Sequence, residues 1–459
     1  MARRLLVVGG DAAGMSAAAQ ARRRTAPDEL EIVCFERGSF TSYAACGIPY
    51  FVGGLVADAE SLVARSPEEH RARGLDVRTR HEVVAIDTAR RVLRVRRLDD
   101  GVEIDEPFDD LVIATGASPV RPPLPGIEAR GVFGIQTLAD GLAVHAAVGA
   151  LGADAPRRAV VVGGGYIGLE LAEALVMRGL EVALVEAAPQ PMSTLDPDMG
   201  ALVADALDNI GIALHLGTPV EAFETEDGRV CGVRTSSGVL PADLVVLGLG
   251  VHPNSKLASE SGISVGATRG IVVDDHMVTS VDGVYAAGDC VETRHLVSGS
   301  PVAIALGTHA NKQGRVVGIN ATGGDATFPG VVGTAISKIC KYEVARTGLN
   351  EGEALAAGFE AVAATIEGET RAHYYPGTTP IHVKVVAERA TGRLLGAQIV
   401  GEEGAAKRVD VLAAAIWNGM SAEKFASLDL AYAPPFSPVW DPVLIAARKA
   451  AEAAGGPPG

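Results

Sequence analysis

The chain has 459 residues, a formal net charge of −16, 48% hydrophobic residues and 55 glycines. That length predicts two or three domains, and that charge disfavours nonspecific binding to nucleic acid or an acidic membrane; an anionic substrate then needs a local Arg or Lys cluster. The five cysteines (34, 46, 231, 290 and 340) show neither CxxC nor CxxxxC spacing, which argues against a disulfide framework and a metal site and fits a reducing cytoplasm.

"MARRLLVVGG" is basic and then apolar, but its apolar run is short and glycine-rich sequence follows. It reads as a first buried strand, not a signal peptide. No stretch is long and apolar enough to span a bilayer. "RLLVVGGDAAGMSAAAQARRR" is a strand, a glycine turn and a small-residue helix; Gly9 and Gly14 keep the outer glycines, while Asp11 takes the middle position. "EIVCFE" ends at Glu36, where a carboxylate can meet a ribose. "SYAACGIPY" follows with Cys46, and the residues alone leave open a packing role or a reactive sulfur. "FDDLVIATGASPVRPPLPG" is a buried strand, then Ala114-Thr115-Gly116, then a proline-rich crossover.

"RAVVVGGGYIGLELAEALVMRGLEVALVE" repeats the first device, with Gly163, Gly165 and Gly168 completing G-x-G-x-x-G and Glu186 closing the next strand. Such turns bring backbone amides and a helix N-terminus to a pyrophosphate. Glu186 would accept a ribose 2′-hydroxyl and repel a 2′-phosphate, and no arginine follows in "VEAAPQ"; NADH is therefore preferred over NADPH. Two turns, each with its carboxylate, predict two bound dinucleotides. After "GRVVGINATGGDATFPG" the texture changes to alternating strands such as "IHVKVVAE" and "LLGAQIVG", then helices.

The doubled fingerprint, the Thr115-Gly116 segment and "TSVDGVYAAGDC", in this order and spacing, resemble the FAD-dependent pyridine nucleotide-disulfide oxidoreductases over essentially the whole chain. The resemblance implies an α/β fold with two Rossmann-like domains and a C-terminal α+β dimerisation domain. The FAD domain would be split over 1–118 and 246–325, with an NAD(P) domain at 119–245 and the dimerisation domain at 326–459. "ADLVVLGLGVHPNS" would return the chain to the FAD domain. FAD would meet Gly9, Gly10, Asp11, Ala12, Ala13, Gly14, Glu36, Val83, Ala114, Thr115, Gly116, Gly288 and Asp289. NAD(P)H would meet Gly163, Gly165, Tyr166, Ile167, Gly168, Glu170 and Glu186, with Tyr166 covering the empty nicotinamide site and Glu170 orienting the ring.

In such a fold residues 39–50 lead into a helix beside the flavin, and a helix N-terminus favours a thiolate at Cys46. Two-cysteine members carry a partner cysteine where this chain has Thr41, so the partner sulfur must come from substrate or from oxidation to a sulfenic acid. Ser-x-x-x-Cys-Gly-x-Pro-Tyr resembles the single-cysteine branch, and "GIPY" looks most like its coenzyme A disulfide reductases. That branch also holds persulfide and polysulfide reductases and NADH oxidases or peroxidases. Tyr374 and Tyr432, in "RAHYYPGTTPIH" and "LAYAPPFSPVWDP", match tyrosines brought over the cysteine of the other subunit in a homodimer. Tyr375 reads as an interface aromatic; Cys34, Cys231 and Cys340 read as packing, and so does Cys290. Ser16, Gln20, Arg23 (with Arg22), Ser42 and His309 match substrate contacts, whereas Ala45 and Trp440 replace an Asn and a Lys expected for coenzyme A itself. The implied activity is NAD(P)H-dependent reduction of a small disulfide or persulfide. An oxidase or peroxidase is the rival, weakened by Ala12 where peroxidase-like members carry His. An electron-transfer flavoprotein would need a charged docking patch, which the sequence does not display. The ending "AEAAGGPPG" leads to no expected rhodanese-like domain.

Overall fold

The computed structural model describes residues 2–152 and 157–456. Strand β1 (Arg3–Val8) runs at the centre of a five-stranded parallel sheet, with strand β2 (Leu30–Glu36) on one side and Asp110–Ile113 on the other. Val284–Ala286 and Asp76–Thr79 form its edges. The strands read as near-continuous apolar runs because both faces are covered. Helix α1 (Ala12–Arg22) and helix Gly307–Asn320 cover one face; the antiparallel strands His81–Asp87 and Val92–Arg97 lie on the other. The two helices meet backbone to backbone: a Cβ on Gly314 would overlap the carbonyl of Ala13, and one on Gly318 that of Ala17.

Arg158–Val162 takes the same central place in a second parallel sheet, flanked by Glu181–Val185 and Leu244–Leu247. In both sheets the strand order therefore reverses beside the strand that ends in the glycine turn, where open α/β sheets bind ligands. The segment expected to return the chain to the FAD domain, "ADLVVLGLGVHPNS", first supplies Leu244–Leu247 to the second sheet. Its buried, unalternating Leu and Val suit either sheet, so only pairing decides. The crossing lies just beyond, where Val251–Pro253 pairs antiparallel with Ala117–Pro119. Asn254 staples the two crossings: its Nδ2 donates to Thr115 O at 2.9 Å, and Thr115 and Ser118 hydroxyls donate to its two oxygens at 2.6 and 2.8 Å.

Helix α2 (Ile48–Val52) follows β2 in sequence but packs away from the first sheet. Ile48, Phe51 and Val52 share a core with Leu138, Leu169, Leu171 and Leu175 of the second domain. Close approaches at Gly141 to Ile48 and at Gly53 to Ala174 fix that contact.

The C-terminal region is a five-stranded antiparallel sheet in the order Ala335–Ile339, Tyr342–Gly348, Leu394–Gly401, Pro380–Glu388, Ala361–Glu369. Helices Val409–Trp417 and Pro442–Ala453 pack on it. This sheet grips the second domain through a cluster of charges. Lys384 Nζ, with its side chain only 6% exposed, lies 2.5 Å from Glu351, 2.8 Å from Asp198 and 3.3 Å from Asp196. Gln398 brackets Asp196, accepting from its amide at 2.8 Å and donating to its carboxylate at 2.6 Å. Beside it, Arg346 Nη1 and Asn350 Nδ2 donate to Thr194 O at 2.7 and 3.2 Å. Among the described residues no helix is long and apolar enough to cross a membrane.

Candidate active site

The first glycine turn leaves β1 at Gly9, whose φ of +113° is available to glycine and costly to other residues. A Cβ on Gly14 would overlap the Gly9 carbonyl, so α1 packs directly on the turn. Asp11, at the middle glycine position, is the N-cap residue of α1 but makes no side-chain capping bond. Its carboxylate turns instead to the Cys46 loop and accepts from the Tyr43 amide at 3.2 Å. Burial, reinforced by Glu36 and Asp289, pushes its carboxyl up to about 6. Glu36 accepts from the amides of Gly10 and Gly38 at 2.8 and 2.6 Å, which holds its carboxylate at the end of β2. Asp289 is likewise pushed up to about 6, by burial alone. Its turn is held by a residue absent from the sequence reading, Gln313, which accepts from the Gly288 amide at 2.8 Å. A buried glutamine on an amphipathic helix was the available signal.

Ala12 and Ala13 form the first turn of α1, and Ala114, Thr115 and Gly116 follow the neighbouring strand. Val83 is half-buried on strand His81–Asp87 and packs on the first-sheet core. Uncapped helix amides, a cradle that a Cβ would fill and a ribose-height carboxylate fit FAD.

The second turn repeats this geometry closely. Gly163 has φ +106°, and a Cβ on Gly168 would overlap the Gly163 carbonyl. Glu186 accepts from Gly164 and Ala188 at 2.6 and 2.8 Å, matching Glu36 in register and partners. Gly165 faces open space, where a pyrophosphate can approach. Tyr166 and Ile167 open helix Tyr166–Met177 and pack partly into its core. Glu170, pushed up by burial, accepts from the Ser337 hydroxyl of the C-terminal sheet at 2.8 Å. These residues fit a pyridine dinucleotide.

Cys46 lies where the two domains meet. It sits in a single 3₁₀ turn, Ala45–Gly47, ahead of the five-residue α2. The expectation of a stabilised thiolate is reversed in the single chain. The thiol is solvent-accessible, yet it is pushed up from its ordinary value by the protein packed around it, then by Glu170, Asp289 and Asp11. A helix of five residues carries too little dipole to offset three carboxyls. Thr41 is fully buried and bonds to Arg65 O at 3.1 Å, so no sulfur stands at that position. Ser42 adopts φ +47°, its amide donating to Gly10 O at 3.1 Å and its hydroxyl lying 3.0 Å from buried His70 Nε2. Cys34 and Cys290 are buried as expected. Cys231 is exposed instead, on the solvent side of strand Arg229–Thr235, and half-buried Cys340 is pushed up to about 11 by burial and Glu173.

Ser16, Gln20 and Arg23 fall on one face of α1, at i, i+4 and i+7. The Ser16 hydroxyl meets Asn311 at 2.7 Å on the neighbouring helix, where His309 has a buried Nδ1 with no partner among the described residues. Arg22 turns inward to the carbonyls of Gly74 and Leu30, at 3.1 and 2.6 Å, while Arg23 stays exposed. Far along the chain, Tyr374 and Tyr432 come together, near enough for Tyr374 to act on the Tyr432 phenol. With Phe436, Val439 and Trp440 they form a face 48% to 75% exposed in the single chain. Arg448 lies over the Trp440 ring, 5.4 Å from its centroid.

A doubly wound sheet inserted into another, each with its glycine turn and ribose carboxylate, and an antiparallel domain beyond, define a flavin- and pyridine-nucleotide-dependent disulfide oxidoreductase. The chain belongs to the pyridine nucleotide-disulphide oxidoreductase family, which matches residues 3–314, with its dimerisation domain matching residues 334–442. It is 38% identical to the NAD(P)H coenzyme A polysulfide/persulfide reductase of Pyrococcus horikoshii, over 98% of both chains. It is 36% identical to the NADH oxidase of Methanocaldococcus jannaschii (97% of this chain, 98% of that one) and 32% identical to the coenzyme A disulfide reductase of Staphylococcus aureus (95% and 96%). Among solved structures it resembles the NAD-dependent persulfide reductase of A. fulgidus, with TM-score 0.94 and 39% identity over 98% of this chain and 84% of that one. The reduced CoADR-RHD of Bacillus anthracis gives TM-score 0.94 and 35% identity over 99% and 81%.

Proposed function

We propose that this enzyme uses NADH to reduce a small disulfide or persulfide, of coenzyme A or a related thiol, through the single thiol of Cys46. The observation that carries this reading is one accessible thiol at the junction of the two nucleotide turns, with Thr41 where a second sulfur would stand. The names of the Pyrococcus and Staphylococcus relatives point to the same substrate class. NADH is preferred because both Glu186 oxygens are held by backbone amides, leaving a fixed negative charge where a 2′-phosphate would sit.

Bound FAD supplies two-electron transfer between nicotinamide and sulfur. Glu36 and Glu186 would hold the two riboses, and Asp289 would hold the ribityl chain. Cys46 thiolate attacks the substrate disulfide, forming a Cys46 mixed disulfide and expelling one thiolate. Tyr374 and Tyr432 of the partner subunit protonate that leaving group. Two electrons then cleave the mixed disulfide, releasing the second thiol and restoring Cys46. The balance is NADH, one proton and one disulfide giving NAD⁺ and two thiols. In this homodimer the exposed aromatic face around Tyr432 is covered. Ser16, Gln20, Arg23, Ser42 and His309 line the approach for the rest of the substrate.

NADH consumption without oxygen, with coenzyme A disulfide, coenzyme A persulfide or no acceptor, tests this reading. Turnover should require a sulfur acceptor and fall by at least about 10³-fold in Cys46→Ser, as loss of a covalent nucleophile implies. The Methanocaldococcus relative's name supports a second reading, an NADH oxidase. Turnover with oxygen alone, equal in wild type and Cys46→Ser, would select it.

A further inference from the structure

The two glycine turns differ at their middle position, and the difference is a carboxylate. Asp11 and Gly165 share nearly the same backbone, φ −112° and ψ −156° against φ −82° and ψ −176°. Gly165 leaves its side open, as a turn does where a pyrophosphate must come close. The same place in the first turn is filled. Aspartate is among the best N-cap residues, yet Asp11 makes no side-chain bond to its own helix.

What that carboxylate holds is the Cys46 loop. Asp11 Oδ1 accepts from the Tyr43 amide at 3.2 Å, and the Ser42 amide donates to the Gly10 carbonyl at 3.1 Å. Among the described residues these are the two hydrogen bonds between the loop and the flavin turn. Other bonds of the loop run to the segment behind it: Ala44 N to Leu62 O at 2.8 Å, Ala64 N to Ser42 O at 2.8 Å, and Thr41 Oγ1 to Arg65 O at 3.1 Å. Ser42 between them takes φ +47°, a left-handed conformation that persists only where its neighbours hold it. The Tyr43 side chain packs against the core shared with the second domain, so one residue is held by both domains. From there the Gly47 amide donates to the Ala44 carbonyl at 2.8 Å and closes the single turn that carries Cys46.

We propose that Asp11 is a positioning residue for electron transfer to sulfur, a strut that holds the Tyr43 amide, and with it the Cys46 turn, against the flavin site. This deepens the reading of Cys46 as the redox sulfur and rests on it. In the step concerned, the S–S bond between Cys46 and the bound thiol takes two electrons and a proton from the reduced flavin. It breaks into one thiol and one thiolate. Misplacing a reacting group by about 1 Å can cost about 10²-fold in rate. Flavin reduction by NADH does not involve the sulfur, so loss of the strut separates the two steps.

The test compares two half-reactions of the FAD-loaded enzyme without oxygen. One is flavin bleaching by NADH; the other is the return of oxidised-flavin absorbance when reduced enzyme meets coenzyme A disulfide. Deuterium exchange of the peptide spanning residues 40–47 is followed in parallel. In Asp11→Gly, which completes the glycine fingerprint, the sulfur step should slow about 10- to 100-fold relative to the NADH step. The peptide should exchange about 3- to 10-fold faster, the span of one hydrogen bond. Asp11→Ala should repeat both changes if the glycine variant does not fold. Asp11→Asn keeps an oxygen for the Tyr43 amide and should restore both readings to within about threefold of wild type. Equal losses in the Asn and Gly variants would overturn the strut in favour of the charge. Faster exchange with an unchanged ratio of the two steps would reduce Asp11 to a structural residue. Proportional slowing of both steps with release of FAD would make it a flavin-binding residue alone, and that too overturns the proposal. Cys46→Ser separates the strut from the reading beneath it. A wild-type sulfur step in that variant means that Cys46 is not the redox sulfur; a step lost there but unchanged in Asp11→Gly condemns only the strut.

Discussion

Cys46 is surrounded by acids, and that makes its reactivity a matter of which carboxyls are ionised. Burial raises the thiol first, and Glu170 adds to it. Glu170→Gln removes a negative charge above the glutamate's own titration, so the pH midpoint of Cys46 alkylation should move down; an unchanged or higher midpoint would rule out Glu170 as a cause. His70 shows the opposite chemistry. Burial, then Arg65 and Arg73, push it from 6.5 to about 4 against the pull of Glu69. The unfolded chain therefore binds more protons than the folded one between about 4 and 6.5, so His70 withdraws stability as pH falls through that window. Asp11 and Asp289, pushed up to about 6, act in the reverse sense, so the useful quantity is the variant minus wild type. In His70→Gln the melting temperature should fall less between pH 7 and 4.5. The Ser42–His70 contact was invisible in the sequence because its partners are 28 residues apart and carry no periodic signal.

At the scale of elements, the two glycine turns were legible because everything they need is local: a strand, two outer glycines at fixed spacing, a helix and a carboxylate one strand later. What α2 packs against was not. "GIPYFVGG" gives an apolar helix but no address, and Ile48 finds the second domain only through Gly141 and the helix that carries Leu169. The strand Leu244–Leu247 went to the second sheet for the same reason, its sequence being equally good for either. The contact between α1 and Gly307–Asn320 has no room to spare, and Gly318→Val should cost about 1–3 kcal/mol by overpacking, read as loss of melting temperature with the flavin bound. Lys384 lies under three carboxylates, two of them half-exposed. Lys384→Met leaves Asp196 buried without its cation and should cost about 3 kcal/mol, measured by denaturant unfolding. An unchanged midpoint would mean that the cluster adds nothing to the grip.

For the whole molecule, the strongest test is division of labour between subunits. If Tyr374 and Tyr432 serve the other subunit's Cys46, neither Cys46→Ser nor the Tyr374→Phe/Tyr432→Phe double variant alone is competent, but co-expressed they should recover about a quarter of wild-type activity. Half of randomly assorted dimers are mixed, and each mixed dimer has one intact site of two. No recovery would mean that each chain completes its own site. The tyrosine pair was legible only through family resemblance, since 58 residues separate its members and nothing local joins them. The seam at Ala117–Pro119 and Val251–Pro253 has a consequence for ancestry. Both ends of the inserted domain leave the host side by side, about one strand spacing apart. Everything between them can be gained or lost as a single cassette without parting any strand of the host sheet, so one duplicated gene segment, spliced at one place, suffices to turn a one-nucleotide ancestor into a two-nucleotide enzyme.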